Sequence, residues 1–267
     1  MTVSISSIKA YAKKALKGNW LMAIISGLTL LFLYLIIQNT ASLLAVVLGE
    51  IWATVIMFVF LLLLFCPLLL GAFRCFWRLF GGVDETVISV FYYFSKMSLY
   101  LKVLKFALKL ALRVAIFALI FYLPVIALNV IASPELYRII DVPIPIWSQN
   151  LSLFVKFLSS FSFALVILSI SKFYLAPILI IANEEIDLDE AIYMSRVISK
   201  GSLMDFVFLF ISLIGWMLLS LFFVPLIFTL PYFIMCYIVH SKYSIKDYND
   251  KIKSLSDDSF PSFVAGV

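Results

Sequence analysis

The side chains best suited to chemistry are few, and most sit at the ends of apolar runs. His240 is the only histidine, so it cannot anchor a multi-histidine metal site, and no cysteine cluster compensates. Its place at the end of an apolar run reads as an interfacial histidine. Cys66, Cys75 and Cys236 are odd in number and contain no C-x-x-C pair, which argues against a disulfide framework. The G-x-S-x-G, P-loop and H-E-x-x-H patterns are absent. The common hydrolase, nucleotide-binding and zinc-protease chemistries therefore lack support. The expectation is a non-enzymatic protein with no catalytic residues, metal or cofactor.

Charged side chains offer more. Glu184, Glu185, Asp187, Asp189 and Glu190 fall within seven residues, without the glycine that turns an EF-hand loop. Asp187 and Glu190 fit a capping box instead, and each acid at a helix N-terminus gains about 0.3–1 kcal/mol from the dipole. Lys102, Lys105, Lys109 and Arg113 share one sector of about 80° on a helix entering an apolar run. This ridge is the candidate site for anionic lipid headgroups. A path for an anionic substrate and a pairing surface for the acidic run are its two alternative uses. Arg113 lies deepest, where a charge must face the bundle interior or snorkel. Lys172 precedes Tyr174 and Pro177, where a broken helix could line a cavity, and is the candidate cavity residue. Lys156 reads as snorkelling from an outer end. Glu50 and Asp205 both sit at boundaries, which gives a proton-coupled carboxylate relay little support.

The elements that must position these groups are membrane helices. Of 267 residues, 64% are hydrophobic and 13% charged, against roughly half and a quarter in soluble domains. A soluble fold of this size could not hide that apolar surface. Six spans are expected, at residues 20–37, 51–73, 110–131, 157–181, 206–222 and 226–239, each near the length a bilayer requires. Residues 43–48 are expected to touch the interface between the first two. A loop with Pro134, Pro143 and Pro145 separates the third and fourth, and the last two turn near residues 223–228. The fold class is thus all-α, a polytopic helical bundle with short interfacial helices. Residues 1–246 form one membrane domain, and residues 247–267 a polar tail expected to be partly disordered.

Lysine and arginine set the orientation. Lys9, Lys13, Lys14 and Lys17 precede the first span, Arg74 to Lys105 carry five charges between the second and third, and four lysines follow the last. The opposite loops hold only Arg138, so both termini are expected in the cytoplasm. Membrane lipids are the expected partners, anionic ones above all. No soluble basic domain is present to carry nucleic acid.

Three segments share a design: Lys17-Gly18-Asn19-Trp20, Lys96-Met97-Ser98-Leu99 and Lys200-Gly201-Ser202-Leu203 each end an amphipathic stretch and open an apolar one. Glu85, Ser89, Tyr92 and Lys96 repeat the spacing of Asp189, Tyr193, Arg196 and Lys200. Pro67, Pro177 and Pro231 mark the return spans. The pattern suggests three units of interfacial helix plus hairpin, with Gly18 and Gly201 at sharp bends where positive φ suits glycine. Gly215-Trp216 reads as a close-packing notch.

Tyr174-Leu175-Ala176-Pro177, Ala191 to Arg196, Lys200-Gly201, Leu213 to Trp216 and Pro231-Tyr232 recur in a familiar order, with Leu16 to Trp20 near the start. On these motifs the chain resembles the bacterial integral membrane family known as domain of unknown function 975. The family's Gly-rich turn between the last spans is replaced here by Phe222-Phe223-Val224-Pro225. The resemblance implies a bacterial, Gram-positive plasma-membrane protein and brings no catalytic residues. The expected function is to organise lipids or partner proteins, in envelope stress or resistance to membrane-active peptides. The alternatives are a small transporter, or a transporter's membrane subunit, for an anionic or amphipathic substrate, and an intramembrane enzyme acting on lipids.

Overall fold

A computed structural model describes residues 4–139, 141, 143, 146–219 and 223–255. Among them all regular structure is helical: α1 (Ile5–Leu16), α2 (Trp20–Leu48), α3 (Glu50–Phe60), α4 (Cys66–Phe80), α5 (Met97–Ala132), α6 (Pro134–Ile139), α7 (Ile146–Ile170), α8 (Ala176–Ala182), α9 (Leu188–Ser212), α10 (Ile214–Leu219) and α11 (Phe223–Leu255). Four segments, Trp20–Leu48, Glu50–Phe80, Met97–Ala132 and Leu153–Ala182, are long and apolar enough to cross a membrane. Leu43, Val46, Ile51, Leu112 and Phe157 each leave 61–86% of their surface exposed. Surface of that kind is at ease only in lipid, so this is an all-helical membrane protein.

The first expected span ends too early. Instead of stopping at Ile37, α2 continues to Leu48 and turns at Gly49, whose φ is +85°. No Gly or Pro interrupts residues 38–48. The polar groups there bond back along the helix, Asn39 Nδ2 to the Leu35 carbonyl at 2.8 Å and Ser42 Oγ to that of Gln38 at 3.0 Å. Glu50 then opens a second apolar rod, in which Leu61–Phe65 form one wide turn ahead of Pro67. Pro67 has no N–H to return to the carbonyl four residues earlier. The Tyr100 hydroxyl donates to that Leu63 oxygen instead, at 3.2 Å. The same device recurs at Pro177: Ile178 N–H turns to the Leu175 carbonyl, and the Tyr237 hydroxyl donates to that of Tyr174.

The chain divides into two compact units, Met1–Ala107 with Phe173–Val267, and Leu108–Lys172. In the first unit, α1 buries Ile8, Ala12 and Leu16 and packs on α11, leaving Lys13, Lys14 and Lys17 exposed. Gly18 follows with φ +92°, the left-handed bend expected there. The second proposed bend differs: Ser98 lies inside α5, and the amphipathic segment before it is a 3-10 helix, Val87–Phe94.

At the third, Gly201 sits within the uninterrupted α9 and has no positive φ. The sharp bend expected at Gly201 is therefore absent. The α9 ladder needs no left-handed residue, and a Cβ at Gly201 would meet nothing within 4 Å. Glycine in a helix interior costs roughly 0.5–1 kcal/mol relative to alanine. Gly201→Ala should accordingly raise thermal stability in detergent by about that amount; a lower melting temperature would contradict this.

The final apolar stretch also departs from expectation. The sequence suggests two crossing spans at residues 206–222 and 226–239, turning at 223–228. Leu213 instead separates α9 from α10, and residues 223–228 already belong to α11; residues 220–222 lie outside the described residues. Residues on either side of that gap lie beside α1 and the start of α2. Lys9 Nζ donates to the Ser212 carbonyl at 2.8 Å, and the Trp20 and Phe228 rings lie 6.3 Å apart. Further along α2, a Cβ at Gly27 would meet Leu230, and Ile234 packs on the cluster of Leu30, Leu68, Ala72 and Val90.

Candidate functional site

On the first unit the acidic run meets part of the basic ridge. Asp187 caps α9, its Oδ2 accepting from Asp189 N–H at 3.1 Å, and so performs the capping role expected of it. Glu184 reaches away from that helix. Its carboxylate accepts from the Tyr92 hydroxyl at 3.1 Å and lies 3.4 Å from Arg74 Nε, while the Arg74 guanidinium stands 3.5 Å from the Tyr92 ring centre. Lys102 Nζ donates to the carbonyls of Glu184 and, at 3.0 Å, Ile186. Of the uses open to the ridge, Lys102 has taken that of pairing with the acidic loop. One helical turn from Arg74, Arg78 Nε meets Glu85 at 2.6 Å, and Ser89 donates to the same carboxylate. The stripe of Glu85, Ser89 and Tyr92 thus serves internal pairing, whereas Asp189, Tyr193, Arg196 and Lys200 on α9 are all exposed.

The remaining ridge residues are placed differently. Lys105 is exposed at the same end of α5 as Lys102. Lys109 and Arg113 are half-buried in the second unit, and each has a partner. Lys172 is exposed on the 3-10 turn Ser171–Phe173, which interrupts the fourth apolar segment where the sequence suggested a break. It is engaged with a neighbouring group. Gly215 is no close-packing notch, since a Cβ there meets nothing within 4 Å; Trp216 packs on Tyr232 at 5.9 Å.

His240, which sequence reasoning set aside as interfacial, is buried by the fold. It is 3% exposed, packed 5.9 Å from the Tyr174 ring and 5.6 Å from that of Phe206. Tyr174 in turn stacks on Phe206 at 4.4 Å and shares a 2.7 Å hydrogen bond with Ser202. Over this aromatic floor lies a cavity of about 210 Å³ between α1, α9 and α11, whose polar lining includes Ser202, Asp205, His240, Ser244, Asp247 and Lys251. Lys251 bonds Asp247 at 2.6 Å, and that hydrogen bond holds the Asp247 carboxyl below its ordinary pKa. His240, outside the four spanning helices, has its pKa pushed down to about 4 by burial. It is neutral at physiological pH, and its buried Nδ1 has no partner among the described residues.

The signal for this cluster was present but scattered. Ser202 and Phe206 are four apart on α9, Tyr237 and His240 three apart on α11, and Tyr174 lies in the motif that carries the family resemblance. The cavity can hold a small hydrogen-bonding guest. Among the described residues no group of three His, Cys, Asp or Glu side chains could hold a metal ion. No family model, curated protein or solved structure matches the chain.

Proposed function

We propose that the chain is a non-enzymatic bacterial plasma-membrane protein that organises anionic lipids or partner proteins at the cytoplasmic face, in envelope stress or resistance to membrane-active peptides. Both termini lie in the cytoplasm, with four crossings and a final hairpin that stays on the cytoplasmic side; six crossings is the competing count. The lysine distribution supports the orientation, and the motifs around Tyr174 and Gly201 support the bacterial family reading. One observation carries the function. The last turn of α1 exposes Lys13 and Lys14, and its C-cap Lys17, while its apolar face is buried against protein, so three cations stand ready at the membrane surface. Each such lysine contributes about 1 kcal/mol of attraction to anionic lipid, falling as salt rises.

Native mass spectrometry of the purified chain tests the reading. Phosphatidylglycerol should be retained in preference to phosphatidylcholine, with the preference shrinking at high salt. Lys105→Gln should lower that retention, whereas Lys102→Gln should chiefly lower the melting temperature by orphaning two carbonyls. Equal retention of the two lipids would overturn the proposal. The membrane subunit of a transporter is the second reading, favoured by the polar cavity beneath His240.

A further inference from the structure

The Trp20 end of α2 and the tip of the last hairpin enclose a second cleft, of about 370 Å³, on the first unit. Its walls are two aromatic pairs. Trp20 of α2 meets Phe228 of α11 edge-on at 62°, and Trp216 of α10 meets Tyr232 of α11 at 58°. Thr229 lies buried between them. The cleft is charged at one side only, where Lys13 and Lys17 stand one turn apart on α1. Both lysines are exposed, and neither forms an ion pair among the described residues. Leu21, the neighbour of Trp20 in the chain, exposes 73% of its surface.

We propose that this cleft is a specific seat for one anionic phospholipid, its phosphate held by Lys13 and Lys17 and one acyl chain laid between the two aromatic pairs. This rests on the lipid-organising reading above and gives it a location. Charge complementarity selects the occupant. Two cations at one end of an apolar slot match a molecule with an anionic head and a hydrocarbon tail. Paired Trp and Tyr rings are at home at the depth where those two parts join. A bound lipid would bridge α1, α2, α10 and α11, tying the hairpin tip to the start of the first span.

The full-length chain, delipidated in neutral detergent, is titrated with phosphatidylglycerol, phosphatidylcholine or inorganic phosphate and read by native mass spectrometry and thermal unfolding. One tight phosphatidylglycerol adduct is expected, with a rise in melting temperature that neither phosphatidylcholine nor phosphate reproduces. The Lys13→Gln/Lys17→Gln double variant should weaken that adduct on the order of tenfold or more at low salt, from about 1 kcal/mol per lysine. Lys246→Gln/Lys253→Gln removes the same charge from exposed positions elsewhere on the surface and should leave the tight adduct in place. Trp216→Ala, at an exposed position, should shorten lipid residence without abolishing the headgroup preference. Equal losses from the two double variants would overturn the seat while leaving the general preference for anionic lipid intact. Protection by phosphate alone would remove the acyl chain from the proposal. No preference for phosphatidylglycerol in the unmodified chain would sink both readings together.

Discussion

Gly71→Ala is expected to cost at least about 3 kcal/mol, the upper end of what overpacking a core usually costs. A Cβ at Gly71 would lie 1.9 Å from the Val90 carbonyl oxygen and 2.8 Å from its carbon. Both are backbone atoms, so no rotamer change relieves the clash. The 3-10 segment bearing Val90 would have to leave α4. Ser89 and Tyr92 would go with it, loosening the pairing with Glu85 and Glu184. Gly27→Ala makes a fair comparison, because its Cβ would meet the flexible end of the Leu230 side chain at 3.3 Å. Thermal unfolding in detergent should separate the two variants clearly. Equal melting temperatures would show that the approach of α4 to the 3-10 segment is not required for stability.

The second large effect concerns the last hairpin. A cysteine at Gly215 should react with a membrane-impermeant maleimide from the same side as a cysteine at Lys14, and from that side alone. The position is exposed and open to a side chain, while the native cysteines are buried or half-buried and provide a low background. The expectation follows from the contacts of Ser212 with Lys9 on α1, and of Phe228 and Leu230 with Trp20 and Gly27 on α2. With two full crossings, Gly215 would lie within the bilayer, and residues 223–228 would label from the face opposite Lys14. An unreactive Gly215→Cys, with residues 223–228 labelling from that opposite face, would restore the six-span count.

Much of this protein was legible in the sequence because it depends on neighbours along the chain. Apolar runs of bilayer length dictate helices, since lipid leaves backbone groups no other partners. Gly18 marks the bend after α1 because its left-handed backbone is a local property, and Asp187 caps α9 for an equally local reason. Other features were decided by what the fold brings together from afar. Lys102 reads as a lipid-binding cation until the loop 82 residues away presents its carbonyls. His240 reads as interfacial until Tyr174 and Phe206 close over it. Gly201 shares a motif with Gly18, yet α9 continues through it, because a helix interior also admits glycine. The turn expected at residues 223–228 falls inside α11 for a more general reason. Hydropathy registers only that a segment avoids water, and lipid and protein interior satisfy that demand equally. Whether such a segment crosses the bilayer or folds back against α1 and α2 depends on which apolar surface reaches it first, and only tertiary structure supplies that.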